Sequence, residues 1–225
     1  ILKLREQEYL SPEGLATYSP KFLRILENIQ DPSNKGLHLI YSQFRTMEGI
    51  GIIKLVLEAN GFAEFKIRKK GQEGDWEMVE TEEDMGKPKF ALHTGTETDE
   101  EKKIILNVYN SKWKEVPNSI MTALQKEEKN SNKMGDIIKV LMITASGAEG
   151  INLKNTRFVH LVEPYWHNVR TEQVIGRARR ICSHQDLPEE LRTVQVFMYI
   201  MVLPKPENKE EEQKHIQLRL RDVSK

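Results

Sequence analysis

The chain has one cysteine, Cys182, in 225 residues. No disulfide can form within it, which excludes a small cross-linked secreted scaffold and fits a reducing, intracellular compartment. It also lacks net charge, because 34 lysines and arginines balance 34 aspartates and glutamates. Global basicity therefore gives no reason to expect nucleic acid, and any surface that binds it must be local. Long apolar runs are missing. The longest, 194–203, contains Gln195 and Tyr199 and falls short of the ~20 residues that span a bilayer, so no membrane partner is expected. The opening Ile-Leu-Lys-Leu-Arg-Glu lacks the pattern of a signal peptide, and neither end reads as a natural terminus. A piece of a longer polypeptide is expected.

Two phosphate-handling devices are absent as well. No Gly-x-x-x-x-Gly-Lys-Ser/Thr loop occurs, and no Asp-Glu-x-His-type box follows a strand. His160, His167 and His184 have no metal-ligand spacing with cysteine or carboxylates, so no metal site is expected. No catalytic nucleophile or acid–base pair stands out.

What is present is enough apolar residue, 38%, for one substantial core. Residues 1–36 read as an N-terminal linker and helix, with Ser19 as N-cap and Pro20 at the first helical position. A domain over 37–203 follows, then a polar linker over 204–225 leading toward a missing C-terminal region. Within the domain, short apolar runs at 37–42, 89–92, 137–144, 157–161 and 194–202 read as strands. Helices are expected over 47–60, stopped by Gly61, and from Thr98 or Asp99 to Tyr109. Strands alternating with helices predict an α/β fold with a mainly parallel sheet. Two stretches break the rhythm: a hairpin insertion turning at 71–74, and a charged loop or helix insertion over 110–135 whose 126–133 portion reads as mobile.

The polar end of the first strand, Ser42-Gln43-Phe44-Arg45, lies where ligands sit in parallel α/β sheets. After the strand ending at Thr144, the loop Thr-Ala-Ser-Gly-Ala-Glu-Gly-Ile-Asn offers Thr144 and Ser146 hydroxyls to phosphates. Gly147 and Gly150 allow close backbone approach there. Tyr165 and Trp166 could stack on a base, although core packing accounts for them more simply. The most specific stretch is 173–180, Gln-Val-Ile-Gly-Arg-Ala-Arg-Arg. Read as a helix, it puts Gln173, Arg177 and Arg180 on one face, with Gly176 permitting close approach. Guanidinium forks in that geometry suit a polyphosphate. Average residue usage puts the chance occurrence of such a pattern on the order of one in a thousand for a chain this long, so an incidental basic helix does not explain it.

In this order the parts resemble the second RecA-like lobe of a superfamily-2 helicase or translocase. Leu39-Ile-Tyr-Ser-Gln-Phe44 resembles motif IV, 144–152 motif V and 173–180 motif VI; His93-Thr-Gly95 resembles the segment between IV and V. Ser-Gln-Phe, Gly-Ile-Asn-Leu and Arg-Ala-Arg-Arg-Ile are similar to chromatin-remodelling ATPases. The wider wording, including Ser19-Pro-Lys-Phe22 and Val162-Glu-Pro-Tyr-Trp166, is closer to the helicase-like ATPases of large cytoplasmic DNA viruses. Those include poxvirus-type nucleoside triphosphatase I and the early transcription factor small subunit.

The resemblance implies a three-layer RecA-like fold and half of an ATP site. Arg177 and Arg180 would be arginine fingers, Gln173 and Gly176 would share their cleft, and Gly150 and Asn152 would lie near the ribose. Thr144, Ser146, Ser42 and Gln43 would meet DNA or RNA. Glu149 stands where many members carry arginine, so that contact does not carry over. ATP and Mg2+ would be bound mainly by a missing N-terminal lobe, leaving this piece inactive alone. Viral RNA polymerase or transcription factor subunits are implied partners, with location in the virion and host cytoplasm if viral, otherwise cytoplasmic or nuclear. The competing expectation is a stand-alone RecA-like module that binds nucleic acid or protein without ATPase activity.

Overall fold

Leu37, Leu39 and Tyr41 turn to one side of the first strand and His38 and Ile40 to the other, and all five are buried. A strand buried on both faces needs a helical layer on each side, and that requirement sets the architecture. The computed structural model describes residues 8–46, 48–71, 75–147, 150–163, 165 and 168–202. The expected linker at 204–225, the first seven residues, Met47, the hairpin tip at 72–74, Glu149 and Trp166 lie outside the described residues.

The strands are β1 (Leu37–Tyr41), β2 (Ala63–Glu64), β3 (Lys66–Lys70), β4 (Asp75–Val79), β5 (Lys89–His93), β6 (Val140–Ile143), β7 (Thr156–Leu161) and β8 (Gln195–Met198). The helices are α1 (Pro12–Tyr18), α2 (Pro20–Gln30), α3 (Ile50–Ala59), α4 (Asp99–Tyr109), α5 (Asn118–Lys126) and α6 (Asn168–Ala178). Six strands form one sheet in the order β2-β5-β6-β1-β7-β8, and every pairing in it is parallel. One face packs on α4, α5 and α6 through residues such as Val108, Ile120 and Val174. The other packs on α1, α2 and α3 through Leu15, Ile25 and Ile53. This is the RecA-like three-layer fold.

Several boundaries depart from the sequence reading. An extra helix, α1, precedes α2; Ser11 caps it by accepting the Gly14 N–H at 3.1 Å. The first crossover helix begins at Ile50 because turn bonds precede it, with Ile50 N–H donating to the Phe44 carbonyl at 2.9 Å and Gly49 N–H to the Thr46 carbonyl at 3.1 Å. Ile137 and Ile138 are buried, yet they precede β6 because their N–H groups go to the Asn132 side chain at 2.9 and 2.8 Å. The last strand stops at Met198, and Ile200, Met201 and Val202 are exposed.

The two insertions pack together. β3 and β4 form the expected antiparallel hairpin, and its Ile67, Trp76 and Met78 join Ile120 and Leu124 of α5 in one apolar cluster. Lys89 is buried, with its ammonium 2.6 Å from Glu80 Oε1 and 3.9 Å from Glu127 Oε2. The 126–133 stretch, expected to be mobile, is therefore pinned at both ends, by Glu127 and by the buried Asn132.

Candidate functional site

Parallel pairing brings the carboxyl ends of all six strands to one edge, so the loops after β1, β5, β6 and β7 meet there. Between them and α6 lies a cleft of about 200 Å3 lined by Tyr41, Ala145, Ser146, Arg170, Gln173, Val174 and Arg177. Three nominated residues, Ser146, Gln173 and Arg177, thus line one cavity. Arg170 completes the row: positions 170, 173 and 177 share a helical face. The same spacing pointed to it in the sequence, but the motif was read only from Gln173 onward. Its guanidinium lies 4.9 Å from the Tyr165 ring centroid, so Tyr165 stacks on an arginine. Tyr41 is buried and also lines the cleft, and burial pushes its hydroxyl pKa up.

Arg180 is placed differently from the expectation. The helix ends at Ala178, two residues before Arg180, and Arg180 is not among the residues that line the cleft. Leu153 N–H donates to the Arg177 carbonyl at 3.2 Å, and Arg180 Nη2 donates to the Ile151 carbonyl at 3.3 Å. The end of α6 is thereby tied to the loop after β6. A helix read from spacing alone could not include this donor and this acceptor from the loop.

The other nominated residues divide by exposure. Thr144 is buried, its Oγ1 3.0 Å from the exposed Ser146 Oγ. Ser146, not Thr144, therefore presents a hydroxyl to the edge. A Cβ at Gly147 would lie 1.9 Å from the His93 carbonyl oxygen, so this glycine packs the loop onto β5. Gly150 is exposed at φ +71°, a left-handed turn where an added Cβ would meet nothing within 4 Å. Asn152 is exposed, its backbone carbonyl held by Asn110 Nδ2 at 2.8 Å. Gly176 sits inside α6, and a Cβ there would likewise have no neighbour within 4 Å. A mid-helix glycine costs about 1 kcal/mol against alanine, and no contact within the described residues compensates for it.

Ser42 is buried, and its hydroxyl donates to Glu163 Oε2 at 2.8 Å. Gln43 is partly exposed, and its side-chain carbonyl accepts from Arg170 at 3.5 Å. Ser42 therefore faces inward, where the sequence reading had it meeting nucleic acid. Arg45 and Gly95, which lie in segments the sequence reading marked but were not nominated as contacts, stand beside Ser146: a Cβ on Gly95 would lie 3.4 Å from Ser146 Oγ and 3.8 Å from Arg45 Nη1. The turn carrying Gly95 is held by Glu97, which accepts from Thr94 N–H at 2.8 Å and from the Thr96 hydroxyl at 2.9 Å. Burial opposes the charge on Glu97, but these donors hold its carboxyl below the usual range. Among the described residues, the cationic side chains lining the cleft are Arg170 and Arg177, and no carboxylate lines it.

Residues 92–182 match the family described as helicase conserved C-terminal domain. The chain is 34% identical over 193 residues to a termination factor NPH-I homolog from a Kenyan isolate of African swine fever virus, covering 83% of this chain and 26% of that protein. It is 30% identical over 197 residues to protein R563 of Acanthamoeba polyphaga mimivirus, which carries an ATP-dependent RNA helicase name; 88% of this chain and 28% of that protein are covered. The chain thus spans less than a third of the length of these relatives. Residues 92–182 thus carry the match to a helicase conserved C-terminal domain, and the chain is homologous to NPH-I-type and helicase proteins of African swine fever virus and mimivirus.

Proposed function

We propose that this chain supplies half of the nucleotide site of an ATP-driven nucleic-acid motor. The observation that carries the reading is the single cleft where Arg170, Gln173 and Arg177 of α6 meet Ser146 at the carboxyl edge of the sheet. Two guanidinium forks beside an amide and a hydroxyl match the oxygens of a triphosphate. Arg177 is the foremost arginine finger, acting on charge that develops at the γ-phosphate. Arg180, tied to Ile151 at the rim, links the finger helix to the loop after β6. Gly176 leaves a bare stretch of helix where a nucleotide-bearing surface can approach. Gly150 and Asn152 flank the same rim, near where a ribose would lie.

Among the described residues no carboxylate lines the cleft, so the donor set suits phosphate and not Mg2+. Metal ligands, and the backbone cradle for ATP, would come from a separate lobe. Nucleic acid would lie along Arg45, Gly95 and Ser146, with Gln43 at the margin, while the buried Thr144 and Ser42 support these loops from beneath. The termination factor name of the African swine fever virus relative favours a role in viral transcription, with polymerase or transcription factor subunits as partners and the virion and host cytoplasm as location.

Two samples test the reading. The 225-residue chain alone should show no steady ATP hydrolysis, and the full-length protein should hydrolyse ATP faster with DNA or RNA present. Hydrolysis by the pure chain, lost on Arg177→Ala, would contradict the half-site reading.

A further inference from the structure

Glu163 does not line the cleft, yet its carboxylate joins the segment after β7 to two others, the loop after β1 and α2. It lies two residues beyond the end of β7. Its Oε2 accepts the Ser42 hydroxyl at 2.8 Å and the Gln43 backbone N–H at 3.1 Å, both from the loop after β1. Its Oε1 faces Lys21 Nζ of α2 at 4.0 Å, and the same ammonium donates to the neighbouring Val162 carbonyl at 3.4 Å. Hydrogen bonds to an ionised acceptor are about twice as strong as neutral ones, so this carboxylate is a firm anchor for the loop.

The anchor reaches the cleft through Gln43. Its backbone is held by Glu163 and its side-chain carbonyl accepts from Arg170 Nη1 at 3.5 Å. Arg170 lines the cleft one helical turn from Gln173 and two from Arg177. Two residues beyond Gln43 on the same loop stands Arg45, beside Ser146 and Gly95. The loop is tightly built: a Cβ on Gly49 would lie 2.3 Å from Ser42 Oγ and 2.2 Å from the Phe44 carbonyl oxygen. A force on Arg45 therefore reaches Gln43 through a short closed turn, not through slack chain.

We infer that Glu163 is a positioning residue that couples the nucleic-acid loop after β1 to the arginine helix α6. Nucleic acid drawn to Arg45 sets the loop, Glu163 fixes where the loop can rest, and Gln43 passes that position to Arg170 and the row beyond it. This inference rests on the motor reading above.

The test uses the full-length protein and its Glu163→Gln and Glu163→Ala variants. ATP turnover is measured with and without single-stranded DNA and RNA, alongside KM for ATP and melting temperature. Glutamine keeps the size and one acceptor but not the charge. Unstimulated turnover and KM should stay close to wild type in both variants. Stimulation by nucleic acid should fall roughly tenfold in Glu163→Ala, a typical coupling between two sites, and by less in Glu163→Gln. If Glu163→Ala does not fold, Glu163→Gln carries the test alone. Stimulation at the wild-type ratio, or an equal loss of stimulated and unstimulated rates, overturns the coupling role. A wild-type protein whose ATP turnover ignores nucleic acid overturns the motor reading instead, so the two failures are distinct.

Discussion

His160 Nε2 lies 3.0 Å from His38 Nδ1, with both rings buried between β7 and β1. The Asn34 carbonyl, 3.2 Å from His38 Nε2, can only accept, so His38 carries its proton there. His38 Nδ1 then accepts from His160, and His160 Nδ1 accepts from the Tyr199 hydroxyl at 2.7 Å. Asn28 Nδ2 donates to that hydroxyl oxygen at 2.9 Å. The chain of bonds has one consistent direction, with both imidazoles neutral.

That arrangement predicts acid sensitivity. Burial, aided by Lys139, pushes the His38 pKa down to about 3, and burial with His38 nearby lowers that of His160. Folded values below the unfolded value mean that the unfolded chain binds more protons. The stabilisation is complete above the ordinary histidine pKa of about 6.5 and is lost as pH falls toward the folded values, at up to about 1.4 kcal/mol per pH unit for each ring. Urea midpoints should therefore drop between about pH 7 and pH 5, with proton uptake on unfolding. A flat profile across that window contradicts the neutral pair.

Gly147 and Gly176 should respond oppositely to alanine. Gly147→Ala places a methyl against the His93 carbonyl oxygen, and the forced backbone shift should cost about 1–3 kcal/mol. Gly176→Ala meets nothing and should stabilise α6 by about 1 kcal/mol. If α6 presents a bare face to a nucleotide-bearing lobe, the same change should lower ATP turnover of the full-length protein. Thermal melts paired with turnover separate the effects; a stabilised Gly176→Ala protein at full activity means that nothing approaches that face.

Arg177→Ala in the full-length protein should slow hydrolysis by about 10³–10⁵ while weakening ATP binding far less, since a finger acts mainly on transition-state charge. Arg177→Lys should recover little, because an ammonium lacks the planar fork. Arg180→Ala should cost less, as its guanidinium reaches the Ile151 carbonyl and not the cleft. Single-turnover hydrolysis with parallel nucleotide affinity checks the ordering, and a larger loss at Arg180 reverses it.

Asn132→Ala should be severe for a residue in an insertion. Its Oδ1 accepts the Ile137 and Ile138 N–H groups, and its Nδ2 donates to the Tyr109 and Ile138 carbonyls at 3.0 and 3.2 Å. Alanine leaves two buried N–H groups unpaired, at about 1–3 kcal/mol each. Equilibrium denaturation measures the loss, and a change below the cost of one such group would mean that the segment relaxes to find other partners.

By itself the sequence determined the alternation of buried strands and helices, because a strand covered on both faces must be apolar throughout, as 37–41 and 140–143 largely are. It also placed the cap of α4 at Thr98 or Asp99, of which Thr98 serves, and located the hairpin insertion, both of which depend on residues near one another in the chain. Tertiary structure decided the rest. Arg180 bonds outside the cleft because the loop after β6 meets the end of α6, where the Ile151 carbonyl accepts from its guanidinium and the Leu153 N–H donates to Arg177, both distant in sequence. Ser42 turned inward because a carboxylate 121 positions away sits within reach of its hydroxyl. Gly147 was a packing glycine only once the loop lay on His93. Local preference names the elements, whereas competing donors and backbone clashes exist only after distant segments have come together.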